Sequence, residues 1–251
     1  MKKYLTVSLF VLVIIGGIWF GSAGTRIAED DSSVGPDSLV DGGNISGDDL
    51  TIEDASLKSE AMKIIDEPVV VKARLSEASE KLALEKIKES SDLIRLNYNY
   101  ANPWYDLGAY RKLIGDYDGA IRVWSFIKKI RPDDYVSLSN LGDLYAFTLG
   151  DYSRAEEYFL ESIARNPQNV DAYIQLALIY EYHDTPKLTL TEPLLLNGIS
   201  ANPKDSNLKI ALGRYYQKVG DLESARFYFE KALEADPGNS ALEEELKILG
   251  D

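Results

Sequence analysis

The 251-residue chain has no cysteine and a single histidine. Without a thiol there is no disulfide framework, no thiolate zinc site, no catalytic cysteine and no lipid-modified cysteine. With His183 as the only imidazole, a His-rich metal centre and any mechanism needing two imidazoles are excluded. Positive charge is also in deficit. Against 41 Asp and Glu stand 27 Lys and Arg, a net charge of −14. Nucleic-acid phosphates and anionic lipid surfaces attract the opposite sign, so neither is an expected partner. No G-x-S-x-G, G-x-x-x-x-G-K-[ST], G-x-G-x-x-G or H-E-x-x-H occurs, so the motifs of nucleophile elbows, phosphate loops, dinucleotide sites and zincins are missing. The acidic pairs Asp133-Asp134 and Glu156-Glu157 fall at turns or helix starts, where they complement the helix dipole. No catalytic, cofactor or metal residue is expected, and the chain does not read as an enzyme.

The charge is unevenly spread. In residues 1–24, Lys2 and Lys3 precede an uncharged run from Leu5 to Phe20, continued by Gly21 to Thr25 and ended by Arg26. Twenty helical residues span about 30 Å, the hydrocarbon thickness of a bilayer. Trp19 and Phe20 sit where an interfacial aromatic would. The segment reads as a single transmembrane helix. The alternative is a cleaved signal peptide with Gly21-Ser22-Ala23 as its small-residue site. Both readings place the N-terminus in the cytoplasm and everything after residue 25 on the other side. Residues 25–68 carry −9, with dense Gly, Ser and Asp. Such a segment buries too little apolar surface to offset its ordering entropy, so a disordered, self-repelling linker is expected. Within it a short amphipathic helix fits Glu53–Asp66, with Leu57, Ala61, Ile64 and Ile65 on one side, ended by Pro68.

The remaining residues repeat. Pro132, Pro167, Pro203 and Pro237 are spaced by 35, 36 and 34 residues. The first unit reads Trp104, Leu107, Gly108, Gly115-Asp116-Tyr117, Ala120, Trp124. The second reads Leu138, Leu141, Gly142, Tyr145, Gly150-Asp151-Tyr152, Ala155, Phe159. The fourth reads Leu212, Gly213, Tyr216, Gly220-Asp221-Leu222, Ala225, Phe229, Ala232. Apolar residues at i, i+3, i+4 and i+7 predict two short helices, A and B, per unit. Gly108, Gly142 and Gly213, facing Ala120, Ala155 and Ala225, let the two backbones approach. Trp124, Phe159 and Phe229 are expected to fill the space between neighbouring units. In each Gly-Asp pair, Gly ends helix A and Asp caps helix B. The pattern resembles the tetratricopeptide repeat: 34 residues, helix–turn–helix, with W-x2-L-G-x2-Y followed by Ala, Phe, Ala and Pro at fixed offsets. The resemblance covers 101–237.

The third unit keeps Tyr173, Leu176, Ala177 and Tyr180 but lacks the Gly-Asp turn. Glu181-Tyr182-His183-Asp184-Thr185-Pro186 stands there, Thr191 replaces the small Ala, and Pro193 falls inside helix B. Its helix B should therefore start late, near Thr191. His183 reads as a solvated loop residue. Over 69–100, Ala73 to Tyr98 predicts one long helix that packs on helix A of the first unit and caps the array, with Leu75, Ala78, Leu82, Ile87, Leu93 and Leu96 as its apolar positions and charges between. Over 238–251, Ser240 and Glu243 form a capping box for a short C-terminal helix.

The expected fold is thus all-α. A transmembrane helix and a disordered acidic linker precede about four helix–turn–helix units with a capping helix at each end. The resemblance implies a right-handed solenoid that holds a protein or peptide partner in the concave groove lined by its A helices. Counting along the repeat, groove positions include Tyr105, Ala109 and Lys112 of the first unit, and Ser139, Asn140, Asp143 and Phe147 of the second. The third supplies Ile174, Gln175, Leu178 and Glu181, the fourth Ile210, Arg214, Gln217 and Lys218. The Lys and Asn arrangement of the family's carboxylate clamp is absent, so a chaperone C-terminal tail is not implied. Most of the acidity lies in the linker, which leaves the local sign of the groove open around Lys112, Arg214 and Lys218.

Overall fold

The computed structural model describes residues 52–183 and 185–250; the side chains of Ile52, Glu53 and Thr185 lie outside that description. The transmembrane helix expected over 1–24 and the linker up to residue 51 fall outside the described residues. Among the described residues no helix is long and apolar enough to cross a membrane.

The described chain is helical throughout, with paired helices stacked in sequence order. Helix α1 (Ile52–Ile65) and α2 (Glu77–Leu96) precede four pairs. These are α3 (Ala101–Leu113) with α4 (Tyr117–Ile130), α5 (Val136–Leu144) with α6 (Tyr152–Arg165), α7 (Val170–Tyr182) with α8 (Thr191–Ala201), and α9 (Ser206–Val219) with α10 (Leu222–Ala235). Helix α11 (Ser240–Gly250) closes the array.

The A-to-B turns are built as the Gly-Asp pairs predict. Gly115, Gly150 and Gly220 have φ of +80°, +71° and +87°, a left-handed conformation that ends helix A and is open to glycine. The next residue caps helix B. The carboxylates of Asp116, Asp151 and Asp221 accept from the backbone N–H of Gly119, Arg154 and Ser224 at 3.2, 3.1 and 3.0 Å.

The large residue of helix B seats on the glycine of its own unit. A Cβ at Gly108 would overlap the Trp124 indole, and at Gly142 or Gly213 it would stand 2.8 or 2.5 Å from the ring of Phe159 or Phe229. In the third unit Ala177 stands at the glycine position, and the smaller Leu195 takes the place of the ring in the same core cluster.

The second unit is one residue longer than 34, and the structure shows where the residue goes. In the first and fourth units the capping Asp N–H bonds back five residues, Asp116 to Arg111 and Asp221 to Tyr216. In the second it bonds back six, Asp151 to Tyr145 at 2.9 Å. The extra residue is absorbed in a π-helical turn, Tyr145–Leu149, at the end of α5. The third unit replaces its turn with a 3₁₀ helix, Thr185–Leu190, and α8 begins at Thr191 as the sequence predicts.

The N-terminal part differs from expectation in three ways. The helix over 52–65 is present and buries Ala61, Ile64 and Ile65 in the first core cluster, so the linker expected over 25–68 gives its last third to the folded body. The long helix expected from Ala73 starts only at Glu77, with Ser76 as its cap, because residues 66–76 form a strap over the first A-to-B turn. The backbone N–H groups of Lys72 and Ala73 both donate to the Ile114 carbonyl at 2.8 and 2.9 Å. Helix α2 does pack on α3. Its buried side is Ala83, Ile87, Ser90, Ser91 and Ile94, which leaves Leu82, Leu93 and Leu96 exposed. At the other end Asn239 caps α11, its side-chain oxygen accepting from the Leu242 N–H at 3.2 Å, in place of the expected Ser240–Glu243 box.

Candidate partner-binding face

The A helices present three rows defined by the repeat. The residue after the small position is Ala109, Asp143, Leu178 or Arg214 in units one to four. Three residues on come Lys112, Ala146, Glu181 and Gln217, then Leu113, Phe147, Tyr182 and Lys218. Neighbouring A helices lie close enough for these rows to bond across units.

The charged members of the rows all pair within the chain. Lys112 is ion-paired to Asp143 across the first junction. Across the third, the Lys218 ammonium donates to the Glu181 backbone carbonyl at 2.6 Å and lies 3.7 Å from its carboxylate. The same ammonium sits 3.4 Å from the centroid of the Tyr182 ring. Arg214 donates to Glu245 of α11 at 3.1 Å. Glu181 is only 7% exposed, and burial pushes its carboxyl above the usual range while Lys218 partly opposes the shift.

Tyr105 lies apart from these pairs. Its hydroxyl donates to the Asp134 carboxylate, which also accepts from the Ser137 N–H at 2.9 Å. Burial and that carboxylate raise the phenol well above its ordinary value, so it stays neutral and its proton is committed. Tyr105, Arg131, Asp133, Asp134 and Tyr135 line an open pocket of about 350 Å³ at the loop edge of the first junction. Ser139 is spent too, in a cluster with Ser162 and the Asn169 amide, which donates to both hydroxyls at 2.7 and 2.8 Å. Of the expected groove residues, Ile174 is half-buried at the edge of the second core cluster. Asn140, Gln175 and Gln217 make no side-chain hydrogen bond among the described residues, and Gln217 is exposed.

Sequence reasoning missed two features. Arg111 stands where the other units have Tyr145, Tyr180 and Tyr216. It is 1% exposed, ion-paired to Asp116 at 2.7 Å, and donates to the carbonyls of Ile64 and Glu67 at 3.4 and 3.3 Å. The departure from Tyr at that register is the signal that could have found it. The second is Tyr182, 63% exposed at the end of α7, made conspicuous by the irregular turn after it. Two of the tyrosines at the Arg111 register bond between units: Tyr180 donates to Glu156 at 2.7 Å and Tyr216 to Glu192 at 2.8 Å. His183 is exposed, as expected, and its ring stacks on Tyr152 with centroids 4.2 Å apart. Among the described residues no group of three His, Asp or Glu side chains gathers at a metal-sized site.

Paired helices, register-fixed glycines and inter-unit tyrosine bonds define a helical-repeat protein. Residues 135–169 and 207–239 match models of the tetratricopeptide repeat, and these segments are such repeats. Among curated proteins the chain is similar to the general transcriptional corepressor trfA of Dictyostelium discoideum, 26% identical over 133 residues, 53% of this chain and 10% of that protein. It is also similar to tetratricopeptide repeat protein 8 of Mus musculus, 29% identical over 96 residues, 38% of this chain and 18% of that protein. It thus spans less than a fifth of either relative. Among solved structures it is similar to TTC0263, a thermophilic tetratricopeptide repeat protein of Thermus thermophilus. The TM-score is 0.50 and the identity 15%, covering 69% of this chain and 97% of that one. At that identity the likeness shows the fold, a tetratricopeptide-type helical solenoid.

Proposed function

We propose that this chain is a non-catalytic scaffold, tethered to a membrane by residues 1–24, that holds a protein or peptide segment on its A-helix face. The observation that carries the binding reading is a set of amides on the A helices, Asn140 and Gln175 at one repeat position and Gln217 at another. Their side chains make no hydrogen bond inside the described chain, while the charged members of the rows are paired. Side-chain amides carry both donors and acceptors, which suits them to an extended backbone.

The tether rests on the sequence alone: the basic start, the apolar run and the aromatic pair at its end. It places the helical body on the non-cytoplasmic side, with the acidic stretch up to residue 51 giving reach. The alternative, a secreted or periplasmic adaptor released from a signal peptide, shares the same binding face. Membrane fractions washed at alkaline pH separate the two, since a spanning helix stays in the pellet. A soluble form beginning near Gly24 would overturn the tether. For the face, in-cell crosslinking of the parent is compared with Asn140→Ala, Gln175→Ala and Gln217→Ala combined. Loss of the crosslinked product is expected, and an unchanged product would place binding elsewhere.

A further inference from the structure

The three junctions along the A-helix face are not alike. At the first, the second-row residue of one unit is ion-paired to the first-row residue of the next, Lys112 to Asp143. At the second junction the same two positions are Ala146 and Leu178, and no ion pair is possible. At the third, Glu181 and Lys218 close the gap. The face therefore carries an apolar break flanked by self-satisfied charge. Phe147, carried on the π-helical turn, adds a ring that is 46% exposed, and Leu178 is 37% exposed. Tyr182, one helical turn after Leu178 in α7, is 63% exposed, its ring covered on one side by the Lys218 ammonium. Both departures from the regular repeat, the π-turn of the second unit and the 3₁₀ turn of the third, fall beside this one junction.

We infer that the junction between the second and third units takes an apolar side chain of the partner, carried on an uncharged, extended segment. This rests on the A-helix face being the binding face. The charge balance carries the choice of occupant. All five charged members of the three rows, Lys112, Asp143, Glu181, Arg214 and Lys218, are paired inside the chain. A charged partner residue would have to break one of those pairs or lose its water beside Phe147 and Leu178, and an unpaired charge out of water is costly. An apolar side chain loses nothing by leaving water and gains burial against the exposed Phe147, Leu178 and Tyr182 ring. The free amides of Asn140 and Gln175 flank the break and supply hydrogen bonds to the segment's backbone.

The test is selection of random dodecapeptides displayed on phage against the purified full chain. Selected peptides are expected to lack charge in their common core and to share Leu, Ile, Phe or Trp at one register. Their affinity should change less than about twofold between roughly 0.05 and 0.5 M salt, since no ion pair is formed. Leu178→Glu and Phe147→Ser should each weaken binding about tenfold, the scale of a buried anchor residue. Ile248→Ser, on the exposed side of α11, should leave it unchanged. Circular dichroism checks that the variants fold, and the more exposed Phe147 carries the test if Leu178→Glu does not. Charged peptides whose binding falls with salt and with Lys112→Ala or Arg214→Ala would overturn the apolar junction while leaving the face as the site. Failure to select any peptide, or binding indifferent to every variant on the face, would overturn both. Self-association abolished by Leu178→Glu would assign the junction to a second copy and overturn the peptide occupant.

Discussion

The array depends on a few residues whose size is fixed by contact. Gly108 is one, because the Trp124 indole lies on its backbone and leaves no room for a methyl group. Gly108→Ala should destabilise the protein by about 1–3 kcal/mol through overpacking, read as a lower urea midpoint. Gly150→Ala meets nothing within 4 Å and bears only the left-handed conformation at φ +71°, a cost of about 1–2 kcal/mol. Glu181 gives a pH-dependent counterpart. Burial raises its folded pKa above the unfolded value, so the folded state holds the proton more tightly. The stability this confers is present at acid pH and lost as pH rises through the folded value. Glu181→Gln, neutral throughout, should therefore gain stability relative to the parent as pH rises from about 4 to 7, measured by melts across that range. The repeat made Gly108 legible from sequence. The burial of Glu181 was not legible, because it depends on how closely α9 approaches α7.

At the scale of elements, α1 and its strap are held by one side chain. Arg111 reaches from α3 to the carbonyls at the end of α1 and to the carboxylate that caps α4, so three elements meet on one guanidinium. Arg111→Met leaves Asp116 buried and unpaired, with a cost of about 3–5 kcal/mol. Amide exchange should rise first in 52–76, because the strap loses its anchor there. The amphipathic pattern of α1 was readable as Leu57, Ala61, Ile64 and Ile65. Its docking was not, because the surface it covers is made by the outer side of α4, where Glu60 meets Lys129 and Glu67 meets Arg122. Helix α2 teaches the same lesson in reverse. Its leucines suggest one face, yet the structure buries the face with Ala83, Ser90 and Ser91, because close approach to α3 favours small residues. The π-turn lies between these cases: the 35-residue spacing announced an extra residue, and only the backbone shows it at Tyr145–Leu149.

At the scale of the whole described molecule, the core is a series of clusters. One runs from α1 through the second unit to α7, another joins the third and fourth units, and a small one joins the fourth unit to α11. Each unit contacts its neighbours, so damage at one end stays local. Phe229→Ala removes the ring seated on Gly213 and should cost about 3–5 kcal/mol in that unit. Its urea unfolding should split into two transitions. Exchange protection should be lost over 206–250 while 101–165 keeps its own, and a single shifted transition would show tighter coupling than this reading allows.

The amino-acid sequence by itself determined the units, their length and the residue types at each seam. Helical periodicity, a glycine that must end a helix and an aspartate that caps the next are local chemistry, legible wherever the chain goes. The tertiary structure decided which groups remain available to a partner. Lys112, Asp143, Arg214 and Lys218 look from the sequence like groups turned toward a ligand. Stacking brings each beside a complement one unit away, where a neighbouring charge is always nearer than a visitor. What the stacking leaves without a complement are the amides Asn140, Gln175 and Gln217 and, at the second junction, the exposed Phe147 and Leu178.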